Sequence, residues 1–282
     1  MPYKILEAQW LAPAVKRFLV QAPHVTRHCQ PGQFVIIRVS SDGERIPLTI
    51  ASSDKAAGTI VLIAQAVGAS TQLLCAQESG GQLADVAGPM GRPTHLENLG
   101  HAVIVGGGVG TAVIFPQAVG LKSAGNRVSA IIGGRSKEYV ILEKELAQVC
   151  DAVYPCTDDG GYGFKGFVTQ RLTQLIAESA TAGHPVKIVL AAGPVPMMRA
   201  VAEVTRPMGI HTVASLNPIM VDGTGMCGGC RVQVGGEMKF ACVDGPEFDA
   251  HKVDFKELSD RLTAYKVQEK SAMERHACKS GS

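Results

Sequence analysis

Short apolar runs separated by Gly, Pro and Ser-Asp turns fill the first third of the chain, as in Gln33-Phe-Val-Ile-Ile-Arg-Val39 and Thr59-Ile-Val-Leu-Ile-Ala64. That texture predicts a small antiparallel β-barrel from Tyr3 to about Leu96. One helical stretch interrupts it, beginning near Ser70 and running through Leu73, Leu74 and Ala76. From His101 the pattern changes to Val- and Ile-rich strands alternating with amphipathic helices. Strands are expected at Ala102–Val105, Val128–Ile132, Ala152–Cys156, Val186–Ala191 and Thr212–Ser215, and helices from Thr111, Glu138, Val168 and Pro196. Strand and helix in alternation predict a five-stranded parallel sheet. Further on, Val232–Val234 and Lys239–Ala241 read as a short strand pair. A polar helix from Asp254 follows, with Phe255, Leu258, Leu262 and Tyr265 on one face that docks onto the body. The charged, small residues after Gln268 read as a frayed end.

The fold class expected is therefore β plus α/β, with three parts: an antiparallel barrel over 1–97, a Rossmann-like parallel sheet over 98–216, and a small segment over 217–282. A length of 282 residues suits two domains and an appendage. Ala102 to Leu121 carries no charge and is long enough to cross a bilayer. Gly106, Gly107, Gly108, Gly110 and Pro116 favour a buried strand followed by a buried helix instead. A net charge of +2 implies no nucleic-acid or membrane-surface partner. The first residues lack the features of a secretory signal, so a cytoplasmic protein is expected.

Chemistry concentrates near the end. Asp222-Gly-Thr-Gly-Met-Cys227-Gly-Gly-Cys230, followed by Cys242, has the plant-type iron-sulfur spacing C-x4-C-x2-C…C with aspartate in the first slot. Glycines there let backbone N–H groups turn toward cluster sulfurs, and a 2Fe-2S centre fits best. Two alternatives stand beside it: Asp222 as an Asp-Gly turn residue, and a zinc site whose fourth ligand lies elsewhere. Three cysteines in one loop point to metal ligation in a reducing compartment. Cys29, Cys75, Cys150, Cys156 and Cys278 read as packing thiols.

Gly106-Gly-Gly-Val-Gly-Thr111 follows the first strand of the sheet and opens a helix, where a pyrophosphate can approach backbone N–H groups. Ala191-Ala-Gly-Pro-Val-Pro-Met-Met198 ends the fourth strand on the same edge and either borders a nicotinamide or is a plain strand-to-helix turn. In the barrel, Arg45-Ile-Pro-Leu-Thr49 offers a cation and a hydroxyl, and Val67-Gly68-Ala-Ser70-Thr71 offers hydroxyls at a helix start. Ser70 as a simple cap and Arg45 as a solvated charge are the structural readings.

Barrel, glycine-rich turn, Gly-Pro-x-x-Met loop and terminal cluster motif, in this order, resemble the ferredoxin-reductase flavoprotein superfamily in its iron-sulfur subunit branch. The segments Ser215-Leu-Asn-Pro-Ile-Met-Val-Asp222 to Val232 and Phe240-Ala-Cys242-Val-Asp-Gly-Pro-Glu-Phe248 are similar to the small-subunit family of NADH-dependent reduced ferredoxin:NADP oxidoreductases, which includes sulfide dehydrogenase beta subunits. Asp222 agrees with that family, whereas the related dihydroorotate dehydrogenase electron-transfer subunits use four cysteines. The resemblance implies FAD contacts at Pro47, Leu48 and Thr49, with Thr49 near the reactive ring nitrogen. It puts Ile63, Ala64 and Gln65 along the ribityl chain, and Gly68, Ser70 and Thr71 at the pyrophosphate. Superfamily members often carry an arginine three residues before the Ser or Thr; here that position is Ile46, and Arg45 stands one place early. The same resemblance gives Gly106, Gly107, Gly108, Gly110 and Thr111 the dinucleotide phosphates, and Gly193, Pro194 and Met197 the nicotinamide. It implies NAD, although Arg135-Ser-Lys137 after the second strand also suits the 2′-phosphate of NADP. Asp222, Cys227, Cys230 and Cys242 would hold the cluster.

Nicotinamide moves two electrons as hydride and a cluster moves one, so FAD stands between them. No general acid or nucleophile is needed, and His95, His101, His184 and His211 receive no catalytic role. The implied partner is a larger flavin and iron-sulfur subunit in a heterodimer, with ferredoxin served indirectly. Alternatives are a dihydroorotate dehydrogenase electron-transfer subunit, a stand-alone NAD(P)H-linked reductase of a soluble carrier, and a zinc-bearing regulator.

Overall fold

The computed structural model describes residues 3–280, with side chains up to Glu274. Its first unit comprises β1 (Tyr3–Ala12), β2 (Val15–Gln21), α1 (Pro23–Thr26), β3 (Phe34–Arg38), β4 (Arg45–Thr49), β5 (Ser52–Asp54), β6 (Thr59–Gln65), α2 (Ala69–Cys75), β7 (Gln82–Leu83) and β8 (Asp85–Met90). Two antiparallel sheets, β5-β6-β2-β1-β7 and β4-β3-β8, close around a core that includes Ile5, Phe18, Val35, Ile37, Ile60 and Leu62. Strand alternation sorts the side chains. In β6, Ile60, Leu62 and Ala64 point into this core, while Val61 and Ile63 point out and pack on Ala112 and Ile141 of the next unit.

The second unit runs β9 (His101–Gly107), α3 (Gly110–Ser123), β10 (Arg127–Gly134), α4 (Glu143–Val149), β11 (Ala152–Thr157), β12 (Phe164–Lys165), α5 (Val168–Thr181), β13 (Val186–Ala192), α6 (Val195–Thr205) and β14 (His211–Ser215). The five expected strands are present and parallel, ordered β11-β10-β9-β13-β14. Both faces are covered: Val103, Val105 and Ile131 belong to one core, and Ala102, Ile104, Ala130 and Ile132 to another. This double burial accounts for the uncharged run through β9 and α3, and among the described residues no helix is long and apolar enough to cross a membrane.

The last segment adds β15 (Arg231–Val234), β16 (Glu237–Phe240), β17 (Glu247–Asp249), α7 (Phe255–Leu262) and α8 (Lys266–Ser280). The sheet has seven strands rather than five, because β12 lies beside β11 and β17 runs antiparallel to β14, pairing Ser215 with Glu247. Both additions are too short to show a period in sequence.

Three further expectations are corrected. The helix expected from Glu138 is a 3-10 turn at Lys137–Tyr139, and α4 begins only at Glu143. Between them the chain extends so that Ile141 is buried against the barrel, and Leu142 takes a left-handed φ of 58° at the helix start. Phe255, Leu258 and Leu262 dock as expected, but Tyr265 lies past the end of α7 and is exposed. The chain after Gln268 continues as α8, whose Lys, Glu, Gln, Ala and Met residues favour helix and which contains no Gly or Pro. Cys278 lies outside the described side chains; Cys29, Cys75, Cys150 and Cys156 are unpaired thiols.

Candidate functional site

Order β11-β10-β9-β13-β14 reverses direction between β9 and β13, and parallel sheets bind ligands at the carboxyl ends of strands where the order reverses. The two sequence-marked loops meet there. A Cβ on Gly107 would strike Met197 Sδ and Pro194, and one on Gly110 would strike the Ala192 carbonyl. Gly193 has φ 154° and its Cα side touches Gly107. Glycine at 107, 110 and 193 is thus a condition for the loops to close on one another, while Gly108, with φ 54°, has open space at its Cβ side. Thr111 is buried under the turn, in contact with Gly106.

A third loop on this edge was not singled out from the sequence. Thr157 to Lys165 hangs beside the Arg135 turn: Asp158 N–H donates to Gly134 O at 3.2 Å and Asp159 N–H to Arg135 O at 3.2 Å. Tyr162 Oη donates to Glu143 at 2.9 Å, and Lys137 Nζ lies 4.9 Å from the Tyr162 ring centre. Arg135 and Lys137 therefore share this corner with the backbone of Asp158 and Asp159. The Asp-Asp-Gly-Gly-Tyr-Gly run was its available signal, a turn-rich acidic stretch directly after a parallel strand.

On the barrel, β3 pairs Phe34 with Thr49 and Ile36 with Pro47. Directly paired residues share a face. Val35 and Ile37 fill the barrel interior, so Phe34, Ile36, Pro47 and Thr49 point outward, while Leu48 packs on the interior core. Arg45 shares the outer face and is exposed. Likewise Ile63 and Gln65 point outward and Ala64 inward. At α2 the hydroxyls are already engaged: Thr71 Oγ1 accepts from Val67 and Gly68 N–H at 3.0 Å each, and Ser70 Oγ donates to Glu44 at 2.7 Å. Thr71 closes its own turn. For a dinucleotide pyrophosphate, the donors left at this turn are backbone N–H groups and the Ser70 hydroxyl once Glu44 is displaced. An outward apolar face beside a turn of this kind fits a flavin.

The cluster motif forms a loop over the barrel. Asp222 Oδ1 accepts from Thr224 N–H at 2.8 Å and Oδ2 from Cys227 N–H at 2.7 Å. These bonds hold its carboxyl below the usual range, so it is ionised at neutral pH. Asp222 is thus a turn residue, and each oxygen still has a lone pair for a metal. Cys230 and Cys242 are buried with Sγ atoms 3.2 Å apart, and Cys227 is exposed with Gly229 N–H 3.4 Å from its sulfur. Burial, then the Cys230 thiol, pushes Cys242 up to about 12; a bound metal would reverse this by displacing the proton to solvent and holding the thiolate. Arg231 and Arg261 donate to the Gly228 and Gly229 carbonyls at 2.6 and 3.1 Å, pinning the loop from outside. Among the described residues no three such side chains close on a single metal ion. Two pairs, Asp222 with Cys227 and Cys230 with Cys242, match the donors that a two-iron cluster requires.

A barrel with an outward flavin-type face, a parallel sheet with closed glycine loops and a terminal iron-sulfur loop define an electron-transfer protein of the ferredoxin-reductase type. Residues 217–254 match the iron-sulfur cluster binding domain of dihydroorotate dehydrogenase B. The chain is 43% identical to the dihydroorotate dehydrogenase B (NAD(+)) electron transfer subunit homolog of Thermotoga maritima, over 96% of this chain and 94% of that protein. It is 34% identical to the electron transfer subunit of Geobacillus thermodenitrificans, over 79% and 86% of the two chains. A solved structure of NADH-dependent reduced ferredoxin-NADP oxidoreductase superposes with a TM-score of 0.91 at 42% identity, covering 98% of each chain. A ferredoxin NADP+ reductase from Neisseria gonorrhoeae, at 18% identity and TM-score 0.59 over 74% of this chain and 91% of that one, shares the fold alone. The chain belongs to the family of dihydroorotate dehydrogenase B electron transfer subunits and their homologues. It is an oxidoreductase subunit whose cofactors are FAD, an iron-sulfur cluster and NAD.

Proposed function

We propose that this chain is the small subunit of a heterodimeric oxidoreductase, moving electrons between NAD(H) and a 2Fe-2S cluster through FAD and on to a larger flavin and iron-sulfur subunit that exchanges electrons with ferredoxin. One observation carries the reading: the helix that opens at the glycine-rich turn and the cluster loop both pack on the barrel that would carry the flavin. Val109 and Ala112, at the start of α3, pack on Val61 and Ile63, and Gly223 of the cluster loop packs on Met90 and Ile36. FAD, when bound, accepts a hydride and gives up electrons singly.

The chain's own residues do the positioning. Pro47 and Thr49 would carry the flavin ring, Ile63 and Gln65 would flank its side chain, and Ser70 with the amides around Gly68 would meet the pyrophosphate. Gly107, Gly193, Pro194 and Met197 would hold the nicotinamide, and the amides of Gly108 to Thr111 the phosphates. Asp158 and Asp159 beside Arg135 favour the ribose hydroxyls of NAD over the 2′-phosphate of NADP. Asp222, Cys227, Cys230 and Cys242 would ligate the cluster, one pair to each iron. The units so defined divide near residues 97 and 216. Val221, Met226 and Val243 expose apolar side chains around the cluster loop, Met226 at 88% exposure, which suits coverage by a larger subunit.

The names of the relatives favour a second reading, an electron transfer subunit of a dihydroorotate dehydrogenase. Aspartate in the first ligand slot argues for the former. The test is anaerobic purification with FAD and iron counted, and absorption and EPR spectra before and after NADH. Bleaching of flavin by NADH, with a reduced 2Fe-2S signal under dithionite, supports the proposal. A colourless protein carrying zinc ends it. Co-purification with a dihydroorotate-oxidising subunit would transfer it to the second reading.

A further inference from the structure

Phe34 stands at the centre of a row of three strands. It pairs with Thr49 of β4 on one side and with Met90 of β8 on the other. Paired residues share a face, so Thr49, Phe34 and Met90 line up across the outer surface of the barrel. The far end of the row touches the cluster loop: a Cβ on Gly223, the residue after Asp222, would fall on Met90 Sδ and 2.9 Å from Ile36 Cδ1. Phe34 and Ile36 are 3% and 2% exposed and belong to the same buried cluster as Met220, Cys230 and Cys242, with Met90 packed against it. β4, by contrast, is only half-covered along this face.

We infer that Phe34 and Met90 are positioning residues that fix the gap between flavin and cluster and keep it free of water; the inference rests on the flavin position proposed above. Strands in a sheet lie about 4.8 Å apart, so the row from β4 to β8 spans roughly 10 Å. Electron tunnelling weakens exponentially with distance and is slowed when solvent must reorganise, so a dry spacer of fixed width governs the rate. With both groups bound, the gap would be crossed by one electron at a time, each reducing one ferric iron to ferrous; each electron would pass on to an oxidised centre of the larger subunit before the next, and the proton brought with the hydride would leave to solvent.

Met90→Ala and Met90→Leu separate this role from simple packing. In stopped-flow mixing of the purified holoprotein with NADH, Met90→Ala should leave the rate of flavin bleaching unchanged and slow the appearance of the reduced-cluster signal by roughly ten- to a hundredfold. Met90→Leu, which refills the volume, should restore the rate. A readout independent of turnover is the deuterium modulation of the dithionite-reduced cluster's EPR signal after exchange into D2O, which should rise in Met90→Ala and not in Met90→Leu. Unchanged cluster reduction and unchanged deuterium modulation in Met90→Ala, with FAD and iron in full occupancy, would overturn the inference. If Met90→Ala fails to hold its cofactors, Phe34→Leu carries the same two measurements. Failure of NADH to bleach the flavin in the unaltered protein would instead sink the function proposed above.

Discussion

Asp222 would combine two roles, a turn residue and, as proposed above, a cluster ligand. Its carboxylate caps the loop through Thr224 and Cys227, which fixes both the fold of the turn and the direction of the remaining lone pairs. As a ligand it would be harder and less electron-donating than a thiolate, so the reduced, more negative cluster would be easier to reach. Asp222→Cys is therefore expected to lower the cluster's midpoint potential in a redox titration followed by EPR; an unchanged or higher potential would refute the assignment. A second residue-scale outcome concerns the cofactor corner. Asp158 follows β11 and its backbone N–H donates to Gly134 O, next to Arg135. Asp158→Asn should raise kcat/KM for NADPH about tenfold or less, since one charge contact is worth roughly 1 kcal/mol at a solvated site, and should lower it for NADH by a similar factor. The loop that brings Asp222 to Cys227 and Cys230 to Cys242 was legible because the chemistry proposed for it demands fixed spacing. The faces of Leu48 and Ala64 were not, since a one-residue change of register reverses which side chain meets the flavin and nothing local sets that register.

Among the elements, α2 illustrates a support that pattern reading passes over. The helix is held from below by Lys16, whose side chain is fully buried and donates to Cys75 O at 3.0 Å, Gln77 O at 2.8 Å and Glu78 Oε1 at 2.6 Å. All three ammonium protons have partners, and the Trp10 and Phe18 rings lie 5.0 and 5.9 Å away. In sequence, Lys16 sits at an inward position of a strand, where a cation is an anomaly without an evident partner; the partners lie some sixty residues on. Lys16→Met keeps the volume but leaves two carbonyls without donors. A loss of about 2–4 kcal/mol is expected by chemical denaturation, because the end of α2 and the stretch after it lose their anchor. Retention of full stability would show that water replaces the ammonium. The parallel strands and α3, α5 and α6 were legible from long buried runs and periodic stripes. The start of α4 was not, because burial of Ile141 against the barrel overrides the helical preference of the residues after Glu138.

At the scale of the molecule, one carboxylate joins the three parts. Glu247 of β17 accepts from Thr94 Oγ1, in the stretch leaving the barrel, at 2.6 Å, and from Gln117 Nε2 of α3 at 2.6 Å. No sequence pattern reveals this triple contact, in which Glu247 lies more than a hundred residues from both of its partners. Burial raises the Glu247 carboxyl above its ordinary range, and the two hydrogen bonds only partly offset this. A carboxyl whose folded value is raised holds its proton in the folded chain after the unfolded chain has lost it. Its contribution to stability is therefore complete below the ordinary carboxylate range and is lost as pH rises through the raised value. Glu247→Gln keeps an oxygen to accept from both Thr94 and Gln117 and cannot ionise. Thermal melts of the cofactor-loaded protein should show little difference between the two forms near pH 4. At pH 8 the Gln form should melt higher by roughly 2–4 °C, the shift that about 1 kcal/mol produces in a chain of this size. A lower melting temperature at pH 8 would mean that the ionised carboxylate itself holds the barrel, the sheet and the cluster segment together, with Thr94 and Gln117 charge-assisted donors to it.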